Sequence, residues 1–419
     1  MSDAAKFADL ASCDFDPASI TVAQAQAHIR DTISAIEDVE TLGLRESLGR
    51  VLAADAVSGA NVPNHTNSAM DGYAFGAESV PADLTLETVG IAMAGSPFDG
   101  NVEAGQCVRV MTGAVMPKGT DTVIMQERTE VKDKHVVMQV REKPGANVRY
   151  AGEDVREGDV VFVKGTRLGA SQLGVLASLG MAEVQVFRRP RVAYFSNGDE
   201  LRAVGTPLKL GEVYDSNRYT LHAMLDELNV EEIDLGVVPD DKEAIAETIR
   251  KAAEMADLVI TTAGASVGDA DYIKEILTEL GQVSFWKVAI KPGRPLSFGK
   301  LGNALFFGLP GNPVSVMVTF QIFLKPAIRQ LAGEASSVPT ILKMRTTTDL
   351  RKKPGRMEYQ RGILTQDESG ETVVSSTGEQ GSGILSSMTQ ANCFIILPDD
   401  SDGARAGDWV EVQPFDYGA

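Results

Sequence analysis

The stretch from Leu258 to Tyr272, LVITTAGASVGDADY, joins an apolar run to a loop of small residues and then to two aspartates. Leu258, Val259 and Ile260 offer no polar face to water, as expected of a strand buried on both sides. Thr261, Thr262, Gly264, Ser266 and Gly268 have short side chains or none. Backbone N–H groups there can approach an anion closely, and the hydroxyls add donors. Asp269 and Asp271 follow, and helical spacing begins at Tyr272. A strand, an anion-cradling loop, carboxylates and a helix start suit a phosphorylated ligand bound with a divalent cation of the magnesium type. A plain connection whose glycines only make the turn is the competing reading.

Four other apolar runs end in similar chemistry. VAYFS leads into Asn197, Gly198, Asp199 and Glu200, and EIDLGVV into Pro239, Asp240 and Asp241. VSFWKVAI leads into Lys291, Pro292, Gly293 and Arg294, and NALFFG into LPGNPVS, where Pro310 and Pro313 stiffen a turn before a helix. In an open parallel sheet ligands bind beyond the carboxyl ends of the strands, where these loops fall. Lys287, Lys291 and Arg294 are local cations suited to a phosphate or another oxyanion. Glu200, Asp240, Asp241, Asp269 and Asp271 are hard oxygen donors, whose crowding is costly unless a cation sits among them. Helix caps account for the aspartates in the simpler reading.

The elements that must position these groups can be read in order. Residues 1–18 carry no pattern of regular structure, and Thr21 is placed to cap a helix through VAQAQAHIRDTISAI. LRESLGRVLAADAV has similar spacing and reads as a second helix. Short β-rich runs follow between 58 and 148: LTLETVGI, QCVRVMTGA, DTVIMQERTEV and HVVMQVRE. The helical run LGASQLGVLASLG implies a return to the first domain, so that the β region is an insertion. The boundaries expected are 1–57 with 149–188 for a discontinuous linking and dimerisation domain, 58–148 for the inserted domain, 189–337 for the α/β domain and 338–419 for a final β domain. Strands and helices alternate from Arg191, which predicts a parallel, doubly wound sheet. From 338 the runs RTTTDLRKK, EYQRGIL, TVVSSTG, NCFIILP and DWVEVQPF predict a small barrel or sandwich.

The chain has 419 residues and a formal net charge of −19, which argues against nucleic acid or an anionic membrane as general partners. No apolar run approaches the roughly 20 residues needed to span a bilayer, and MSDAAKFADLASCDFD lacks the features of a signal peptide. A cytoplasmic location is expected. Cys13, Cys107 and Cys393 lack metal-ligand spacing and are expected as reduced, structural thiols. His28, His65, His135 and His222 form no ligand set either.

Nine stretches carry a further signal, the first three of which have no evident role by themselves. They are NSAMDGYA (67–74), MTGA (111–114), AGEDV (151–155), FSNGDEL (195–201), YDSN (214–217), AGASVGDADY (263–272), FWKVAIKPGRP (285–295), FFGLPGNPVS (306–315) and GRMEYQRG (355–362). Together, and in this order, they resemble the molybdopterin molybdenumtransferase family, the bacterial MoeA proteins and the E domain of gephyrin. The resemblance covers nearly the whole chain from Thr21. It implies a MoaB/Mog-like doubly wound α/β domain, an inserted β-rich domain, a helical and extended linking domain, and a C-terminal β-barrel-like domain. It also implies a homodimer whose site is shared between the α/β domain of one subunit and the inserted domain of the other. The implied reaction inserts molybdate into adenylylated molybdopterin with magnesium and releases AMP, and other proteins of the cofactor pathway are implied partners.

By position, the resemblance gives functional roles to Asp71 and Thr112 in the inserted domain and to Arg149 and Asp154 just after it. Glu200, Asp240 and Asp271 match the family's rim acids and are candidate metal ligands. Lys287 and Lys291 match its anion-binding lysines, and Pro310 and Pro313 its proline turn. Arg294, Ser266 and Gly268 are expected to help bind the anionic substrate. Asn197 stands where a threonine is common, and Ala263 and Ala265 stand in a loop usually written with Gly-Gly-Val. A molybdopterin adenylyltransferase would need only the α/β domain, and a pterin-binding scaffold like gephyrin would need a long linker that this chain lacks.

Overall fold

The structure, a computed structural model, describes residues 19–262, 270–335 and 338–415. The chain forms two compact units, one of Met1–Glu40, Gly49–Val51 and Phe187–Ala419 and the other of Thr41–Leu48 and Leu52–Val186. Helix α1 (Val22–Thr32) starts at a capping box. Thr21 Oγ1 accepts from the Gln24 amide at 3.1 Å while Gln24 Oε1 accepts from the Thr21 amide at 2.9 Å. Val22, Ala25 and Ile29 share one side of the helix and enter the same apolar core as Val192 and Leu258.

The second helix expected over LRESLGRVLAADAV is absent. Residues 44–49 form turns, and Leu52 makes an isolated bridge to Val186. Gly49 turns left-handed with φ +75°, and the buried Arg50 guanidinium bonds Glu40 and the Phe187 carbonyl. Fixed backbone and side-chain partners distant in sequence override a local helical spacing here.

The second unit is built on strands. β1 (Asn67–Ser68), β2 (Gly72–Phe75), β3 (Thr85–Ala92), β4 (Gln106–Val110), β5 (Thr122–Met125), β6 (Thr129–Lys132), β7 (His135–Met138) and β8 (Val148–Arg149) precede helix α2 (Ala170–Ser178). Six of these strands make one sheet in the order β5-β2-β4-β3-β7-β6, and β1 pairs antiparallel with β8. Small clusters around Phe75 and Leu86 on one side, and Ala74 and Val108 on the other, bury its two faces.

The first unit carries the α/β sheet. Its elements are β9 (Arg191–Asn197), α3 (Asn217–Asp226), β10 (Glu231–Val238), α4 (Lys242–Met255), β11 (Leu258–Thr262), α5 (Ala270–Leu280), β12 (Gln282–Lys287), β13 (Ile290–Lys291), β14 (Pro295–Leu301) and β15 (Ala304–Leu309). The sheet order is β10-β9-β11-β15-β14-β12. The first four are parallel, but β14 runs antiparallel to both of its neighbours, so the sheet is mixed rather than wholly parallel. PLSFGKL, not among the expected strands, is that reversed strand: Gly299 lies against the Gln282 backbone, where a Cβ would sit 2.2 Å from a carbonyl oxygen. Because β12 and β15 both run against β14, β12 still ends at the same rim as the parallel strands.

Helix α6 (Pro313–Thr319) passes through a π turn at Phe320–Leu324 into α7 (Lys325–Leu331). The wider turn lies just ahead of Pro326, which cannot donate a helical hydrogen bond. The rest is β16 (Leu342–Thr346), β17 (Met357–Gln366), β18 (Thr372–Ser376), α8 (Ser386–Gln390), β19 (Cys393–Leu397) and β20 (Trp409–Pro414). The order β17-β18-β16-β20-β19 returns from β19 to β17, so five strands close a barrel around Val374, Ile395 and Val412. Strand β13 lies parallel on β17 at its outside.

Candidate active site

In the β-rich unit three turns distant in sequence are sewn together by backbone bonds. The Ser68 amide donates to the Ala114 carbonyl at 2.9 Å, the Gly113 amide to the Ser68 carbonyl at 2.8 Å, and the Ala69 amide to the Asn147 carbonyl at 2.9 Å. NSAMDGYA, MTGA and the segment before AGEDV thus meet at one place. Gly72 is required where β2 meets β5, since a Cβ there would lie 1.9 Å from the Ile124 carbonyl oxygen. Gly113, at φ +82°, lets the MTGA turn curl back.

Asp71 and Thr112 face each other across this clasp. One Asp71 oxygen, Oδ1, accepts from the Thr112 amide at 2.7 Å and from its hydroxyl at 2.9 Å. Those two bonds, the amide first, hold the Asp71 carboxyl below its ordinary range, with Arg109 adding attraction. The ring of Tyr73 carries the Arg109 guanidinium 5.0 Å above it. Asp71 is therefore a carboxylate at neutral pH, fixed through one oxygen. Arg149 pairs with Asn67 across β1 and β8 and is exposed. The Asp154 amide donates to the Val62 carbonyl at 3.0 Å, leaving its side chain exposed.

The α/β sheet ends in a second polar array. Asn197, only 2% exposed, donates from Nδ2 to Asp240 Oδ1 at 3.2 Å and accepts on Oδ1 from Thr261 Oγ1 at 3.2 Å. The loops after β9 and β10 also lock reciprocally. The Asp199 amide donates to Asp240 Oδ2 at 3.3 Å, and the Asp240 amide to Asp199 Oδ1 at 3.2 Å. Glu200 folds back over Gly198, whose Cβ would meet Glu200 Oε2 at 2.5 Å. Asp241 is a helix cap: its Oδ1 accepts from the Ala244 amide at 2.8 Å, so the simpler reading applies to that aspartate.

On the same rim Lys287 ends β12 opposite Pro295 and is exposed, and Arg294 precedes β14. Lys291 sits on β13 rather than on the α/β sheet, with Nζ 3.1 Å from Glu358 Oε1. Pro310 is buried at the end of β15, and Pro313 begins α6. Neither proline has an N–H, so the turn is tied from outside: Asn217 Nδ2 donates to the Gly311 carbonyl at 2.7 Å, and the Val314 amide to the Ser382 carbonyl at 3.2 Å. Asn217 and Glu358 lie in the YDSN and GRMEYQRG stretches, yet sequence reasoning gave neither a role. Ser266, Gly268 and Asp269 lie outside the described residues, as does the side chain of Asp271.

The donors suit magnesium in kind, being carboxylate oxygens at strand ends. Among the described residues no three Asp, Glu, His or Cys side chains come together as a metal cluster. Such a set fits a cation that takes one or two carboxylates from the protein and the rest of its oxygens from phosphate and water. The described cysteines are buried and unpaired, and burial pushes the Cys107 thiol up to about 11 and that of Cys393 up to about 12, which makes them inert. His222 pairs with Glu232 at 2.9 Å and His28 packs edge-on against Trp286. At the opposite, amino end of the strands a cavity of about 610 Å³ is lined by Asp38, Arg188, Arg191 and Asp257. Arg188 is bidentate to Asp257 at 2.8 and 3.0 Å and also bonds Asp38 at 3.1 Å, so this cavity holds a closed ion-pair network remote from the rim.

Fold and rim together define an α/β protein that gathers carboxylates and basic side chains at its strand ends, in a chain that also holds a β-rich unit and a closed barrel. Comparison with known proteins gives this class its family. The family model of the MoeA N-terminal region (domain I and II) matches residues 20–180, that of a probable molybdopterin binding domain 193–330, and that of the MoeA C-terminal region (domain IV) 343–415. The molybdopterin molybdenumtransferase of Haemophilus influenzae is 43% identical over 400 residues, covering 95% of this chain and 99% of that protein. The enzyme of that name from a Nostoc species is 37% identical over 390 residues, covering 88% and 89%. A crystal structure of the molybdopterin biosynthesis MoeA protein from Pyrococcus horikoshii OT3 superposes with a TM-score of 0.82 at 31% identity, covering 95% of this chain and all of that one. The chain belongs to the MoeA family.

Proposed function

We propose that this chain is a molybdopterin molybdenumtransferase, which inserts molybdate into adenylylated molybdopterin and releases AMP. The observation that carries the reading is the 43% identity to a protein of that name across nearly the full length of both chains. The geometry agrees with it. Cations and carboxylates share the carboxyl-end rim of one sheet, as a substrate with two phosphates and an oxyanion partner requires.

In this reading Lys287, Lys291 and Arg294 bind the pterin phosphate and molybdate, assisted by Arg149, Ser266 and Gly268. Pro310 and Pro313 hold the turn beside them rigid. Asp240, Glu200 and Asp271 would hold magnesium, which when bound supplies charge neutralisation at the phosphoanhydride. Asp240 also keeps the Asn197–Asp199 turn in register through the bonds it accepts. Asp71, with Thr112 and Asp154, orients the reacting end of the substrate, and as a carboxylate at neutral pH Asp71 is able to take a proton from attacking water. We further infer a homodimer in which Asp71 of one subunit serves the rim of the other, working in the cytoplasm with other proteins of the cofactor pathway. No described helix is long and apolar enough to cross a membrane, which accords with that location.

The test is AMP release from adenylylated molybdopterin with and without molybdate, in magnesium or EDTA, scored by reconstitution of an apo-molybdoenzyme. Molybdate-dependent release with active cofactor is expected, and a protein that binds the pterin yet releases no AMP would overturn the assignment. Sharing of the site is tested by mixing subunits carrying Asp71→Asn with subunits carrying Lys291→Ala. Mixed dimers regain activity if one intact site forms across the pair, and stay inactive if each subunit is self-sufficient.

A further inference from the structure

Strand β17 brings Glu358 to the rim from the barrel, 67 positions after Lys291. The two are register partners in the parallel pairing of β13 with β17, so their side chains leave the sheet on the same side. The ammonium and the carboxylate are 3.1 Å apart, but their exposures are very different: the side chain of Lys291 is 43% exposed and that of Glu358 is 5% exposed. Gln360 Nε2 donates to the same Oε1 at 3.2 Å and also to the Arg351 carbonyl at 3.0 Å, which fixes the carboxylate from its inner side. Lys352 and Arg361 lie within reach of its field, yet both spend their hydrogen bonds elsewhere. Lys352 Nζ donates to the Pro398 and Ser401 carbonyls at 2.7 Å each, and Arg361 to Ser387 Oγ at 2.9 Å and the Gly381 carbonyl at 3.0 Å.

A buried carboxylate contributes little to stability that an apolar side chain of the same size would not, so its aim at a solvent-facing lysine calls for another account. An ammonium has three donors, so pairing with Glu358 on one side leaves donors for a ligand on the other. We propose that Glu358 is a positioning residue that acts through Lys291: it holds the ammonium at the rim and, as a fixed counter-charge, moderates the grip of Lys291 on the oxyanion so that product can leave. This rests on the reading of Lys291 as an anion-binding residue given above. Loss of the carboxylate leaves the ammonium charge of Lys291 uncompensated toward the bound anion, for which Coulomb attraction at surface dielectric predicts a roughly three- to tenfold gain in affinity.

Glu358→Gln keeps the shape and the acceptor for Gln360. Titration calorimetry with sodium molybdate is expected to show tighter binding by that factor, and steady-state AMP release to show a lower KM with a lower kcat. Glu358→Asp, which draws the charge back by one methylene, should move both in the same direction by less and guards against misfolding of the glutamine variant. In a Lys291→Ala background Glu358→Gln should give a clearly smaller gain in molybdate affinity, because only the direct repulsion of the anion is then relieved and there is no ammonium to act through. Weaker or unchanged binding in the single variants, or an equal effect in both backgrounds, overturns the proposal while wild-type activity keeps the transferase reading intact. A wild-type protein that neither binds molybdate nor releases AMP overturns both.

Discussion

The two polar arrays fix their carboxylates by opposite means. Asp71 is held by one residue, Thr112, through an amide and a hydroxyl that meet a single oxygen, while its other oxygen and its edge stay available. Asp240 is held through both oxygens, by Asn197 and by the Asp199 amide, and in return it donates its own amide to Asp199. The first arrangement orients a group and keeps it charged, as a proton acceptor needs. The second builds a rigid loop joint, in which the carboxylate sets the shape of the rim as much as its charge. A carboxylate in a site motif can therefore be left open on one side or tied into the loops around it, and the number of oxygens already engaged distinguishes the two arrangements.

The sharpest way to break this contrast is Asp71→Asn. If Asp71 is the reagent, molybdate-dependent AMP release should fall by about a hundredfold or more while the circular dichroism and oligomeric size stay those of the wild type. Retained turnover would put Asp71 among the scaffold residues. Next in size is Gly72→Ala, which forces a methyl group against the Ile124 carbonyl. Thermal unfolding should show a loss of about 1–3 kcal/mol in the β-rich unit, and an unaltered melting curve would mean that β2 can move away from β5.

On the side of the α/β rim, Arg361→Met removes the donors that hold Ser387 and the Glu379 and Gly381 carbonyls in the loop that presents Ser382 to Val314. A cost of about 1–3 kcal/mol in denaturant unfolding is expected, with a raised KM because the Pro310–Pro313 turn loses one of its two ties. The smallest effect belongs to Thr112→Val, which keeps the amide bond to Asp71 and deletes the hydroxyl bond. The folded pKa of Asp71 lies below the ordinary 3.8, so the benefit of the clasp is present above that value and is lost as pH falls through the lowered one. Removing one bond should move the acid limb of the activity profile upward, toward the ordinary value. An unmoved limb would show that the amide alone sets the charge of Asp71.

Much of this was open to a reader of the chain. Apolar runs ending at Ser196, Val238, Thr262, Ile290 and Gly308 announced strands that the structure ends at Asn197, Val238, Thr262, Lys287 and Leu309, and the polar loops behind them announced the rim, because strand patterning and turn chemistry are short-range effects. The Thr21 cap and the long amphipathic helix over 242–255 were equally legible. The stretch 44–57 was misread because its apolar spacing is helical while its actual partners, Thr166 and Gln185, lie more than a hundred residues away. PLSFGKL was missed as a strand because a short run rich in small residues, next to prolines and glycines, resembles a loop until its two neighbours are in place.

The sequence by itself determined the kinds of groups at the site, the local elements that carry them and, through nine motifs in order, the family. Tertiary structure alone decided which groups meet. It set Thr112 on Asp71 across 41 positions, Asn217 on Gly311 across 94 and Glu358 on Lys291 across 67. These pairings depend on strand register and on the closure of the barrel, which are fixed by packing over the whole unit and leave no trace in the spacing of any one segment.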